Sequence, residues 1–249
     1  MTLRALPGIP VVRPGDDLPQ LILEALARAG ECLQEGDILS VTSKIVSKAE
    51  GRIVRLAEVV ASERALELSR QTGKDARLVE LNLRESVEIS RTAPNIMVTR
   101  HRLGFVSANA GIDQSNVDGS DETVLLLPVD PDESARRIRS ALQAAAKVRI
   151  GVLITDSHGR PFRLGNVGVA IGVAGFPALV DLRGGVDMFG RVLRVSVQGY
   201  ADMVASAVCL LTGEGAEGLP VVLVRGLRYP DIDGRASELN RPPETSLYR

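Results

Sequence analysis

Two of the chain's four lysines, Lys44 and Lys48, fall within one short segment, Ser43-Lys44-Ile45-Val46-Ser47-Lys48. A compact ammonium beside serine hydroxyls and turn N–H groups suits phosphate oxygens. A solvated polar turn that happens to hold two lysines would carry the same string. The second signal is carboxylate. Asn109-Ala110-Gly111-Ile112-Asp113-Gln114-Ser115-Asn116 and Ile154-Thr155-Asp156-Ser157 each place an aspartate where regular structure is expected to give way to irregular. Two carboxylates with neighbouring hydroxyls are hard oxygen ligands, suited to Mg²⁺ or Mn²⁺ shared with phosphate groups and not to Zn²⁺. The same two aspartates would serve equally well as turn caps.

Other chemistries find less support. Cys32 and Cys209 stand apart with no CxxC pair, which removes zinc-ribbon and thioredoxin-type readings. His101 and His158 are the only histidines and lie far apart in sequence, so they read as structural and not as a zinc or triad site. Gly213-Glu214-Gly215-Ala216-Glu217-Gly218 matches a G-x-G-x-x-G string, but it follows an expected helix and precedes an expected strand. A dinucleotide fingerprint has the reverse context, so a helix C-cap and turn is the better reading. Neither a Walker A loop nor a nucleophile elbow is present.

The elements that must position these residues alternate between helix and strand, giving an α+β class. Asp16-Asp17 ahead of Leu18, Leu21, Ile22, Ala25 and Leu26 predicts a helix that Gly30 ends. Asp37–Thr42 reads as a short buried strand, followed by a polar turn at Ser43-Lys44. Helices are expected near Ser62–Gln71 and Ala76–Ser90, and short strands near Ile96–Val98 and Phe105-Val106. The Gly- and Asn-rich stretch from Asn109 to Gly119 is expected to be irregular, as functional connections often are. Asp130-Pro131-Asp132-Glu133 is the best helix start, with Asp130 as N-cap, Pro131 in the first turn and Glu133 as reciprocal cap. Val148–Thr155 reads as an apolar strand ending at Asp156-Ser157. Strands at Val167–Val173 and Val192–Val197, a helix at Ala201–Leu211 and a last buried strand at Pro220–Val224 follow. The organisation expected is one domain over residues 1–230 and a loose polar tail over 231–249.

The chain has 249 residues, with 30 basic against 31 acidic side chains for a net charge of −1. A chain of this length buries enough apolar surface to fold without disulfides. Near-zero charge argues against an electrostatic binder of nucleic acid or membrane. Aromatics at 3% with no Trp argue against base stacking. The longest uncharged run, Leu164–Val180, is broken by glycines and Pro177 and is too short to span a bilayer. No apolar leader opens the chain, and a cytoplasmic protein is expected.

Taken in order, several segments resemble the coenzyme F420-0:gamma-glutamyl ligase family. They are Leu6–Pro10, Arg13–Leu18, Ser47–Arg52, Asn109–Asn116, Leu126–Pro131, Ile154–Arg163 and Val222–Leu227, within a match over roughly residues 3 to 228. The resemblance implies an unusual two-subdomain α+β ligase fold forming an intertwined homodimer. It implies GTP-dependent joining of L-glutamate to F420-0 through an acyl phosphate, then gamma-linked additions, with two divalent ions, Mg²⁺ or Mn²⁺, and K⁺ as an optional further ion. Carried over by residue, it implies GTP contacts from Ile9, Pro10, Val11, Val12, Ser43, Lys44, Lys48 and Asn116. Asp113 and Asp156 would hold one metal, Ser157 the second, and Gln198, an uncharged amide, would be a weaker second-metal ligand. Asp113, Asp156 and Lys48 would be the catalytic set. Arg160 and Arg163 would either clamp an anionic group of the precursor or form surface salt bridges.

Two other classes use the same residues. A metal-dependent phosphohydrolase would consume GTP without glutamate, and a non-catalytic deazaflavin or nucleotide carrier would bind GTP without consuming it.

Overall fold

A computed structural model describes residues 1–245. In chain order its elements are β1 (Thr2–Ala5), α1 (Leu18–Arg28), β2 (Ile38–Thr42), α2 (Ser43–Ala49), β3 (Ile53–Arg55), α3 (Glu63–Thr72), α4 (Ala76–Glu85), β4 (Ser86–Ala93), β5 (Ile96–His101), β6 (Val106–Ala108), β7 (Thr123–Leu125), α5 (Pro131–Ala146), β8 (Gly151–Arg160), β9 (Arg163–Ala174), β10 (Leu179–Asp181), β11 (Val197–Gly199), α6 (Tyr200–Thr212) and β12 (Val221–Arg225). The class is α+β, as the alternation predicts, with several separate sheets.

The central sheet has five strands in the order β1-β12-β2-β8-β9. Successive residues of β2 point to opposite faces, and both faces are covered. Leu39 and Val41 pack with Val152, Ile154 and Leu223 against α1 and α5. Ile38 packs with Leu153, Val173 and Val222 against Val204, Ala205 and Val208 of α6. This two-sided burial is why β2 and β12 read as continuous apolar runs and not as alternating ones. The glycines of β9 let helices come close. A methyl at Gly168 would run into the Ala205 carbonyl and the Cys209 sulfur of α6, and one at Gly172 into the Pro131 carbonyl of α5.

The helix starts follow their capping residues. Asp17 accepts the Gln20 N–H at α1, Ser62 that of Ala65 at α3, and Asp130 that of Glu133 at α5. Glu133 does not reach back as a reciprocal cap; its carboxylate holds Arg136. Gly213 ends α6 with positive φ, as its cap-and-turn reading predicts.

Five expectations are corrected. Ser43-Lys44 is not a turn but the first turn of α2, which follows β2 directly. The helix expected to reach Ser90 stops at Glu85, and Ser86–Ala93 pairs with β5, where its β-branched residues favour strand. Asp156-Ser157 lies inside β8, because the partner β9 continues the ladder to Arg160. The Val192–Val197 strand shrinks to β11, with Val192 in an isolated bridge to Val186. The tail is not loose as far as Asn240: Gly234 N–H donates to Phe176 O, Ala236 is buried and Asn240 Nδ2 donates to Leu103 O. Residues 246–249, the end of that tail, lie outside the described residues. No helix among the described residues is long and apolar enough to cross a membrane.

Candidate functional site

β1 and β2 run the same way, each antiparallel to β12, and β2 is parallel to β8. Their C-terminal ends therefore share one rim of the sheet, where open α/β sheets bind ligands. The loop after β1 carries Ile9–Val12, β2 leads into α2, and β8 carries Asp156. Register brings the pieces together. Thr42 pairs with Thr155, so Ser43 and Asp156 come next to each other, and Ser43 Oγ donates to Asp156 Oδ1 at 3.3 Å.

The following residue reaches the other aspartate. Lys44 Nζ lies 2.5 Å from Asp113 Oδ2 and also donates to Ser115 O at 2.6 Å. Asp113 is held by backbone bonding with Leu125, and its Oδ1 accepts the N–H and Oγ–H of Ser115. It therefore caps a turn and pairs with a lysine at once. One turn along α2, Lys48 is only 7% exposed and donates to the carbonyls of Asn116 and Val117, both at 2.8 Å. Burial, then the nearby Lys44 ammonium, lowers the Lys48 pKa, while Asp118 and Asp113 oppose the shift. Both lysines thus hold the irregular 113–117 loop against α2, Lys44 at its first turn and Lys48 at its last.

The loop in turn reaches the glycine string. Asn116 Nδ2 donates to Gly215 O at 2.9 Å, and Asn166 of β9 holds Glu214. Glycine-rich backbone therefore borders the site although it is not a dinucleotide fingerprint. Its order in the chain hid this, since Asn116 and Gly215 are 99 residues apart.

His158, read as structural from sequence, lies beside the acid: its Nε2 is 3.2 Å from Asp156 Oδ2. The Phe105 ring packs on His158 with centroids 4.8 Å apart, and His101 stacks on Phe105 with centroids 5.1 Å apart. A cavity of about 210 Å³ opens beside His158, Phe105 and Asp202. Burial raises the Asp202 pKa against the opposing Ala170 N–H and His158. Burial likewise pushes up the Cys209 thiol, with Glu214 and Asp156 adding to the shift.

The residues from Ile9 to Val12 divide. Ile9 packs on the core and Val12 is buried in it, while Pro10 and Val11 line an open concavity of about 440 Å³ with Arg13, Asp16 and Gln20. Ser157 follows Asp156 on β8, opposite Gly168. Gln198 is exposed on β11 opposite Val180, in a separate two-stranded ribbon. Among the described residues no hydrogen bond joins it to Asp113 or Asp156.

Among the described residues no three His, Cys, Asp or Glu side chains converge on a metal position. The oxygen donors present, Asp113, Asp156 and Ser43, nevertheless suit Mg²⁺, which binds through one or two carboxylates and completes its shell with water and phosphate.

A family model described as F420-0:Gamma-glutamyl ligase matches residues 8–226. The chain belongs to the F420-0:gamma-glutamyl ligase family. It is 45% identical to the coenzyme F420:L-glutamate ligase of Methanothermobacter thermautotrophicus, over 100% of this chain and 99% of that protein. It is 44% identical to the protein of the same name from Methanopyrus kandleri, over 96% and 93% of the two chains. The Archaeoglobus fulgidus coenzyme F420:L-glutamate ligase is 43% identical, over 97% and 94%. The matched span of this F420-0:gamma-glutamyl ligase family member contains the 9–12 loop, α2, Asp113, Asp156 and the glycine string.

Proposed function

We propose that the chain is a GTP- and divalent-metal-dependent ligase that joins L-glutamate to F420-0 and then adds gamma-linked glutamates, in coenzyme F420 biosynthesis. Family membership supports the ligase role. One observation carries the chemistry: consecutive residues of α2, Ser43 and Lys44, join Asp156 and Asp113, and Lys48 clamps the loop between them and Asn116.

A carboxylate does not react with an amine unaided. In the reaction proposed, the acid's oxygen attacks the γ-phosphorus of GTP and GDP leaves, giving an acyl phosphate. The glutamate amine then attacks the acyl carbon, the acyl C–O bond breaks and phosphate departs with the electron pair. In this reading Lys44 and Lys48 would donate to phosphate oxygens in exchange for their present partners, while Pro10, Val11 and the concavity beside them would take the guanine. Asn116 and the 213–218 backbone would border the triphosphate. Asp113 and Asp156 would hold a Mg²⁺ or Mn²⁺ ion, which when bound supplies neutralising charge to the phosphates. Lys44 must then give up Asp113. Ser157 and Gln198 remain proposed ligands of a second ion, and K⁺ a further one.

The protein is proposed to work as a homodimer. Supporting this, Leu164 at 98%, Met188 at 95% and Phe189 at 93% exposure stand on the β8–β9 hairpin and the β10–β11 connection. Apolar groups in such number on projecting arms mark an interface.

The deciding experiment counts glutamate additions by mass spectrometry with GTP or ATP, with and without Mg²⁺. Products should form with GTP and metal. Asp156→Asn should lose roughly a hundredfold or more in turnover, the scale for removing a preorganised electrostatic group. Retained turnover would remove Asp156 from the site. GTP consumption that is complete without glutamate and F420-0 would favour a phosphohydrolase, and binding without consumption a carrier.

A further inference from the structure

Beyond His158, strand β8 ends in a like-charge pair. Arg160 lies directly opposite Arg163 across the β8–β9 hairpin. Like charges directly opposed on a sheet destabilise it unless something neutralises them. Several arginines elsewhere have acid partners: Arg77 with Asp75 and Glu122, Arg149 with Glu35 and Asp231, Arg225 with Glu31 and Asp37. Those without one, such as Arg55 and Arg91, do not face a second arginine across a ladder. Arg160 and Arg163 form no ion pair among the described residues. Among the described residues the Arg160 side chain makes one hydrogen bond, Nη2 to Leu164 O at 3.3 Å, and its Nε is shielded from solvent with no partner. The structure therefore leaves out the surface salt bridges that a bland reading of these residues requires.

Their position gives the charge a use. At ~3.3 Å per strand residue, Arg160 sits ~7 Å beyond His158 and ~13 Å beyond Asp156, within the span of one bound substrate. Guanidinium forks bind carboxylates and phosphodiesters through paired N–H···O bonds. We propose that Arg160 and Arg163 together form an anion subsite that holds an oxyanion of one of the acidic substrates beside the Asp156 centre. The inference rests on the ligase reading, in which both the acceptor, F420-0, and L-glutamate are acids. The shared chemistry is a carboxylate or phosphodiester, and substrate-by-substrate kinetics separates the two sources.

The test uses the full chain, with Arg160→Gln, Arg163→Gln and Arg163→Lys. KM is measured for F420-0, L-glutamate and GTP in turn, each with the other two saturating, and melting temperature is recorded without substrate. The expected result is a tenfold or larger rise in KM for one acid, with the GTP KM within twofold of the parent and the Lys variant intermediate. That acid should also raise the parent's melting temperature more than that of the Gln variants. Without substrate, each Gln variant should melt at or above the parent, since repulsion is relieved. Unchanged KM for both acids overturns the subsite. Lower melting temperatures with kcat and every KM impaired together would also overturn it, assigning the arginines a structural or subunit-contact role. Parent protein that forms no glutamylated product fails the ligase reading instead, and the two failures are distinct.

Discussion

The buried carboxyl of Glu85 and the half-buried one of Asp202 shift in opposite directions, and their surroundings say why. Burial alone would push Glu85 up, but His101, Arg52 and Arg102 around it outweigh burial and lower its pKa. Asp202 has no such cations, so burial wins and raises it, against the Ala170 N–H and the more distant His158. A lowered folded pKa favours the native state above the unfolded value, about 4.5 for Glu85, and this support is lost as pH falls through the folded value. A raised one does the reverse. Asp202 favours the native state below about 3.8, and this support is lost as pH rises through its folded pKa. Melting curves from pH 3 to 7 should therefore separate two variants. Glu85→Gln should lose most against the parent at pH 7 and converge with it at pH 3. Asp202→Asn, which keeps an oxygen for the Ala170 N–H, should match the parent near pH 3 and gain on it toward pH 7. Parallel curves for both variants would show that neither carboxyl titrates as its surroundings require. The lysines at the site teach a related lesson. Their types and spacing were legible, but their present partners, loop carbonyls and Asp113, were not.

Strand β9 decides how closely the helices sit on the sheet that carries Asp156. Gly168 faces Ala205 and Cys209 of α6, and Gly172 faces Pro131 at the start of α5. At each glycine the nearest contact is a backbone carbonyl, of Ala205 or of Pro131, which cannot swing aside. Gly168→Ala and Gly172→Ala should each cost about 3 kcal/mol, the upper range for overpacking, in urea denaturation. Gly159→Ala is the control on the adjacent strand, because its methyl would meet only the Asn166 side chain at 3.8 Å. Equal stability in all three variants would show that α5 and α6 stand further from the sheet. In the sequence the glycines of this stretch could be read only as reasons against a membrane span. Their role depends on two helices, one earlier and one later in the chain.

Across the whole molecule, the central sheet is covered on both faces, while the arms carrying Leu164, Met188 and Phe189 are not. If those arms meet a second copy, light scattering after gel filtration should give twice the monomer mass of 26.6 kDa. Met188→Asp with Phe189→Asp should return the mass to one chain without unfolding it, since both side chains contribute nothing to the core. A parent that runs at 26.6 kDa at micromolar concentration would end the dimer proposal.

Local chemistry made much of this protein readable in advance. Capping residues and apolar spacing marked α1 and α5, apolar runs marked β2 and β12, and Asn109–Gly119 announced an irregular connection. Each rests on interactions within a few residues. Elements were missed where pairing overrode local preference: β1, which exists because β12 lies beside it, and β4, where Ser86–Ala93 takes β5 as a partner in place of another helical turn. The site is the extreme case. Ser43 meets Asp156 across 113 residues, and Asn116 meets Gly215 across 99. The residue types that carry the chemistry were visible one by one. Their meeting was not, because it follows from the parallel register of β2 and β8 and from a loop clamped by two lysines, and neither leaves a periodic trace in the chain.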